Sequence, residues 1–279
     1  MLARRILTAA VLIALIVAAL FFLAPRAFGS ALLAIVVAAA DEWARLVGFV
    51  RGRRVSFVIA VLLIGIVLLF GPGFEHGFPS AIVVPICGAA TLFWLFVAPP
   101  WVAMRWAPRS PFVLAIVGTI VLIGAWVALI ELQSRSPWHV LAAMAIVWIA
   151  DTAAYFGGRA FGKRKLAPEV SPGKTWEGAY VGIGAVVLYA LALAPFAAAA
   201  GYHGVLEAAT VALWVAFAAA LAAISIVGDL FESLLKRRAG VKDSGRLLPG
   251  HGGVLDRTDA LLAAMPPAAL AALLFLHRT

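Results

Sequence analysis

Apolar residues run through this chain in long unbroken stretches, parted by short segments that hold nearly all of its charge. The runs cover about 6–24, 28–48, 55–71, 80–98, 112–132, 138–157, 176–199, 205–231 and 258–276. They are continuous rather than alternating with a period of two, so they predict helices and not strands. Their lengths suit the roughly 20 apolar residues that cross a bilayer core about 30 Å thick. A backbone in that core must satisfy its own hydrogen bonds, which leaves helices or a closed barrel, and the missing alternation removes the barrel. The expected fold class is therefore all-α: a polytopic integral membrane protein with about nine transmembrane helices. The first run is long for the apolar region of a signal peptide. Arg26 also spoils "APRAFGS" as a cleavage site, so an uncleaved helix is expected there.

Composition supports the membrane class: 65% of the 279 residues are hydrophobic and 13% are charged. Charge then orients the chain. With the N-terminus in the cytoplasm, every one of the 22 Lys and Arg except Arg26, Arg135 and Arg278 falls on the cytoplasmic side. Such a bias is what the positive-inside rule demands, and it predicts an odd number of spans with the C-terminus outside. The net charge of +9 is thus a property of one face, suited to topology and to anionic lipid. It is split among short loops, so no nucleic-acid partner is expected. Cys87 is the single cysteine and lies in an apolar run, which excludes an internal disulfide and a cysteine-based zinc site. The chain divides into membrane helices over 1–135, with about five spans, and a region over 136–279 with four spans and two unusual loops.

Those loops exceed what topology requires. One reads "IADTAAYFGGRAFGKRKLAPEVSPGKTWEGAY", the other "GDLFESLLKRRAGVKDSGRLLPGHGGVLDRTDA". Both mix acids with bases and are rich in glycine. Asp229, Glu232, Ser233 and Lys236 are spaced i, i+3, i+4, i+7 and share one helical face. Asp256 and Asp259 share a face at the start of the last helix. Carboxylates at membrane helix ends are costly without a cation, a partner or water. Two such ends flanking a basic loop suit a hard divalent cation together with phosphate groups. Plainer readings stand beside this one. Asp256 could cap its helix, Asp229 could pair with a nearby Arg, and Glu232–Lys236 is an ordinary i, i+4 pair. His251, before Gly252 and Gly253, reads as a general base, a hydrogen-bond donor to phosphate or a turn residue. The five histidines show no metal-binding spacing.

"SPGKTWEG" at 171–178 ends like a P-loop, but Pro168 stands where that motif needs glycine. The spacing predicts a helix start instead, with Ser171 as N-cap and Pro172 following, and Lys174 beside a phosphate seat. Asp151 is an ionisable group at the end of a span, open to a functional or a paired role. Asp41, Glu42 and Trp43 are read first as an interfacial segment with the tryptophan as anchor, with a functional role as the alternative.

At these residues the chain resembles the phosphatidate cytidylyltransferases, or CDP-diacylglycerol synthases. The resemblance lies in Ser233, Lys236-Arg237, Lys242-Asp243, Gly245, Pro249, His251-Gly252-Gly253, Asp256-Arg257 and Asp259. It continues in Asp151, Ala154-Tyr155, Gly158-Arg159, Gly162-Lys163, Ser171-Pro172 and Lys174-Thr175. It covers about the last half of the chain. It implies the reaction CTP + phosphatidate → CDP-diacylglycerol + pyrophosphate, with Mg²⁺ held by Asp229 and Asp256 and K⁺ as a companion ion. It also implies a homodimer in a bacterial inner membrane with the site facing the cytoplasm. Catalysis then falls to Asp229, Asp256, Lys242, His251 and Arg257. Substrate binding falls to Asp151, Tyr155, Arg159, Lys163, Ser171, Lys174, Ser233, Lys236, Arg237, Gly252 and Gly253. The competing classes are a secondary transporter, whose acids belong nearer mid-membrane, a CTP-dependent transferase for another lipid phosphate, and a noncatalytic scaffold.

Overall fold

The computed structural model describes residues 14–106, 108–199, 206–247, 250 and 252–275. Eight helices among them are long and apolar enough to cross a membrane. They are α1 (Pro25–Leu46), α2 (Arg51–Phe70), α3 (Ser80–Ala103), α4 (Pro111–Arg135), α5 (Pro137–Phe161), α6 (Trp176–Ala199), α7 (Ala208–Arg238) and α8 (Leu255–Phe275). They match the second to ninth expected spans. Residues 14–22 are also helical, and the rest of the first expected span lies outside the described residues.

Local chemistry sets the helix starts. Proline occupies the first turn of α1, α4 and α5, where its missing N–H costs nothing. Ser110 and Ser136 cap α4 and α5, accepting from the backbone N–H of Val113 and Trp138. Within α3, residues Phe93–Val97 widen into a π-turn just before the Pro99-Pro100 pair. Proline removes N–H donors, so a local change of register is where this disruption is absorbed.

Two packing features place the functional end of the bundle. First, α5 and α6 lie against each other through small residues. A Cβ at Gly178 or Gly182 would stand 2.7 Å from the carbonyl oxygens of Ala154 and Ala150. Only glycine allows that approach, the usual device for bringing helices together in lipid. Second, Phe231 of α7 is enclosed by aromatic rings. Phe93, Trp94 and Trp101 meet it edge-on at 5.3–5.5 Å between centroids, and Trp43 stacks at 6.2 Å. The π-turn of α3 thus grips the helix that carries Asp229 and Glu232. Helix α8 packs on α3, α4 and α5 as well as on α7. Cys87 is fully buried in this core.

Residues 171–175 depart from expectation. They form a strand, β2 (Ser171–Thr175), antiparallel to β1 (Lys165–Ala167), with Lys165 opposite Thr175 and Ala167 opposite Ser171. The helix begins only at Trp176, and Thr175, not Ser171, is the capping side chain: its Oγ1 accepts from Gly178 N at 3.1 Å. The reason is a competing partner. Glu177 draws in the backbone N–H groups of Lys163 and Arg164, at 3.0 and 3.1 Å, and so brings the first arm of the ribbon against the second. Pro172 is tolerated there because a two-stranded ribbon consists of edges.

Candidate active site

The C-terminus of α7, the N-terminus of α8 and the β-ribbon come together at one end of the bundle. The expected face of α7 is present. Ser233 Oγ donates to Asp229 Oδ1 at 3.2 Å, and Lys236 pairs with Glu232 at 2.7 Å. Lys236 Nζ also lies 2.7 Å from Asp256 Oδ1, so it bridges α7 to α8. Lys174 Nζ, from β2, pairs with Asp229 Oδ2 at 2.5 Å. Arg237 Nε donates to Val170 O in the ribbon turn at 3.3 Å. The two loops singled out in the sequence are therefore joined directly, by Lys174–Asp229 and by Arg237. Asp151 lies within Coulomb range of both Lys174 and Asp229.

Asp256 faces two ways. Its Oδ1 meets Lys236, while Oδ2 accepts from Gly253 N at 2.8 Å and Ser244 N at 2.9 Å and lies 3.0 Å from Ser244 Oγ. One carboxylate thus points an oxygen into the charged cluster and uses the other to clamp the loop. Gly252 has a φ of +87°, which L side chains rarely adopt, and this turn aims the Gly253 N–H at Asp256. Glu232 is buried, and its Oε1 accepts no hydrogen bond from any described residue. An orphaned carboxylate oxygen beside Asp229, Asp256 and Lys236 marks a place where a cation would be welcome.

The remaining expected residues are peripheral in this conformation. Arg159, Lys163 and Lys242 are exposed and form no ion pair with another described residue. Tyr155 is exposed and packs edge-on against Phe156 at 5.3 Å. Ser171 opens β2, and Arg257 is exposed at the start of α8. His251 lies outside the described residues.

Sequence reasoning missed Glu42 and Ser244. The segment around Glu42 is not an interfacial anchor. Trp43 is buried, donates from Nε1 to Leu114 O at 3.1 Å and stacks on Phe231. Glu42 points into the loop before α8, where it meets Ser244 Oγ, Val254 N and Leu255 N. Its partners are more than 200 residues away, so local spacing held no sign of them. Asp41 does stay at the helix end, paired with Arg54 and Arg45. Arg105 has a φ of +52° and pairs with Glu169, tying the α3–α4 connection to the ribbon.

The model of the cytidylyltransferase family matches residues 3–275, nearly the whole chain. The chain belongs to the cytidylyltransferase family. Among similar proteins, the phosphatidate cytidylyltransferase of Haemophilus influenzae is 36% identical over 95% of this chain and 96% of its own length. That of Pseudomonas aeruginosa is 38% identical over 95% of each. The Brucella suis enzyme of the same name reaches 52% over a shorter stretch, 47% of this chain and 43% of its own. Family membership thus extends across α1–α4, well beyond the two loops that carried the resemblance in the sequence.

Proposed function

We propose that this protein transfers CMP from CTP to phosphatidate, giving CDP-diacylglycerol and pyrophosphate. The observation that carries the proposal is the Lys174–Asp229 contact, supported by Lys236 between Glu232 and Asp256. It joins two basic loops at the bundle end, and relatives covering 95% of the chain bear the name of this activity. An oxygen of the phosphatidate phosphate attacks the α-phosphorus of CTP. A new P–O bond forms, the bond to the bridging α–β oxygen breaks, and pyrophosphate departs. A phosphate monoester has its second pKa near 6, so the attacking group is already largely ionised and no protein nucleophile is needed. The task is to hold two anions together and to offset charge on the triphosphate.

The chain's residues divide that task. Lys174, Lys236 and Arg237, at the junction, would bind phosphates, joined by Arg159, Lys163, Lys242 and Arg257 from the exposed rim. His251 would position or move a proton. Asp229 and Asp256 would hold Mg²⁺, with K⁺ nearby, and the orphaned Glu232 oxygen favours a cation at the same place. The donors are all hard oxygens, as Mg²⁺ prefers. Among the described residues no three such groups form a ready-made cage. That suits an ion that keeps water and substrate phosphates as its other ligands. Bound there, the ion would offset charge on the triphosphate. A homodimer in the bacterial inner membrane, with this end of the bundle and the N-terminus on the cytoplasmic side, completes the proposal.

Radiolabelled CTP, phosphatidate and detergent-solubilised protein, with and without Mg²⁺, test it. Label is expected to enter the lipid phase only with the metal. A panel of lipid phosphates separates phosphatidate from another acceptor. Nucleotide-independent flux in proteoliposomes, without lipid labelling, would overturn the reading in favour of a transporter.

A further inference from the structure

Glu42 has no part in the chemistry above, yet it is among the most enclosed charged groups of the protein, 1% exposed. Its carboxylate sits on the N-terminus of α8. Oε1 accepts from Val254 N at 3.1 Å, and Oε2 accepts from Leu255 N at 2.9 Å. Among the described residues no Lys or Arg pairs with it. The positive end of a helix, with its unsatisfied N–H groups, is what makes a buried anion tolerable there. Oε2 also stands 2.9 Å from Ser244 Oγ, which lies 3.0 Å from Asp256 Oδ2 and accepts from Asp256 N at 3.3 Å. One hydroxyl is thus held between two carboxylates, one on α1 and one on α8. Neither glycine of the junction has room for a side chain: a Cβ at Gly253 would lie 2.6 Å from Glu42 Oε1, and a Cβ at Gly245 would also strike this carboxylate.

We infer that Glu42 is a positioning residue for the transfer reaction, acting through Ser244 and the first turn of α8 to set the orientation of Asp256. The inference rests on the function proposed above. A general stabilising role for a buried carboxylate would account for the burial. It would not require the shared hydroxyl, which couples Glu42 to a group in the reacting cluster. The arrangement also gives α1 a stake in the site, since a shift of that helix would be felt at Asp256 through two hydrogen bonds.

Glu42→Gln keeps the shape but turns an NH₂ donor toward backbone N–H groups that need an acceptor. In the full-length protein in detergent, kcat per folded molecule is expected to fall about 10–100-fold, the usual effect of losing a partner that orients a ligand residue. KM for CTP should change little. Ser244→Ala removes the bridge from the other side, and the double variant should be no worse than the worse single one. Amide exchange over 252–257 should quicken in Glu42→Gln, while that of α6 stays as in the wild type. A wild-type kcat per folded molecule, or losses that multiply in the double variant, would overturn the inference. If Glu42→Gln does not insert, Ser244→Ala decides alone, and a wild-type kcat there overturns it. If the wild-type protein transfers CMP to no lipid phosphate, the functional proposal fails, but the exchange experiment still judges whether Glu42 holds the loop.

Discussion

Three carboxylates of the cluster have lysine partners: Asp229 with Lys174, and Glu232 and Asp256 with Lys236. Largely buried pairs of this kind hold charge that would be costly if left alone. On the proposed function, an incoming triphosphate would compete for the lysines and a cation for the carboxylates, so binding of either would prepare the place of the other. Asp229 and Asp256 are therefore expected to differ when replaced. Asp229→Asn should lose activity by orders of magnitude with thermal stability near wild type, because among the described residues its oxygens meet only Lys174 and Ser233. Asp256→Asn should lose as much activity and also loosen the loop, because Oδ2 gathers the backbone N–H groups of Ser244 and Gly253 and lies beside the Ser244 hydroxyl. Lipid labelling together with melting curves in detergent separates the two. Near-normal turnover in either variant would remove that residue from the metal role. At this scale the sequence was informative wherever partners are close along a helix, as for the Asp229–Lys236 face. It was silent on Glu42, whose partners are brought to it by the packing of α1 against the rest of the bundle.

Among the elements, α7 matters most, and its register is held by the aromatic cage around Phe231. The ring sits two residues from Asp229 and one from Glu232, so any rotation of α7 would move both carboxylates. Phe231→Ala should cost about 3–5 kcal/mol, the usual range for emptying a large buried aromatic position. Thermal unfolding in detergent would read the loss, and a change below 1 kcal/mol, on the order of a conservative core swap, would refute the caged-ring account. Helices were well marked in the sequence because an apolar run has few alternatives in a bilayer. Their ends were less so. The α7 helix continues through Arg238, past the apolar run ending near 231, because Leu234 and Leu235 remain buried on its inner side. The ribbon was misread as a helix start. Ser-Pro is a strong local signal, but a nonlocal demand overrode it: Glu177 collects the N–H groups of 163 and 164.

For the whole molecule, the alternation of basic connections and the antiparallel run of helices agree in bringing the same set of helix ends together. The ends of α1, α3, α5 and α7 and the starts of α2, α4, α6 and α8 share one side, and with them the charged cluster. Periplasmic and cytoplasmic reporter fusions within 70–79 and 104–110 should give opposite signals, with the second cytoplasmic. Equal signals from both would contradict the proposed orientation. The sequence could order these helices along the chain, but it could not show that α8 would pack on α3 and α4, since nothing in an apolar run names its neighbour. Cys87 lies inside that packing, sealed from solvent and from lipid. The natural chain is therefore silent toward water-borne thiol reagents. A pair of cysteines placed at exposed Pro168 and Val241 could carry spin labels with no background, and any change in the distance between the two loops could be followed as nucleotide and lipid are added.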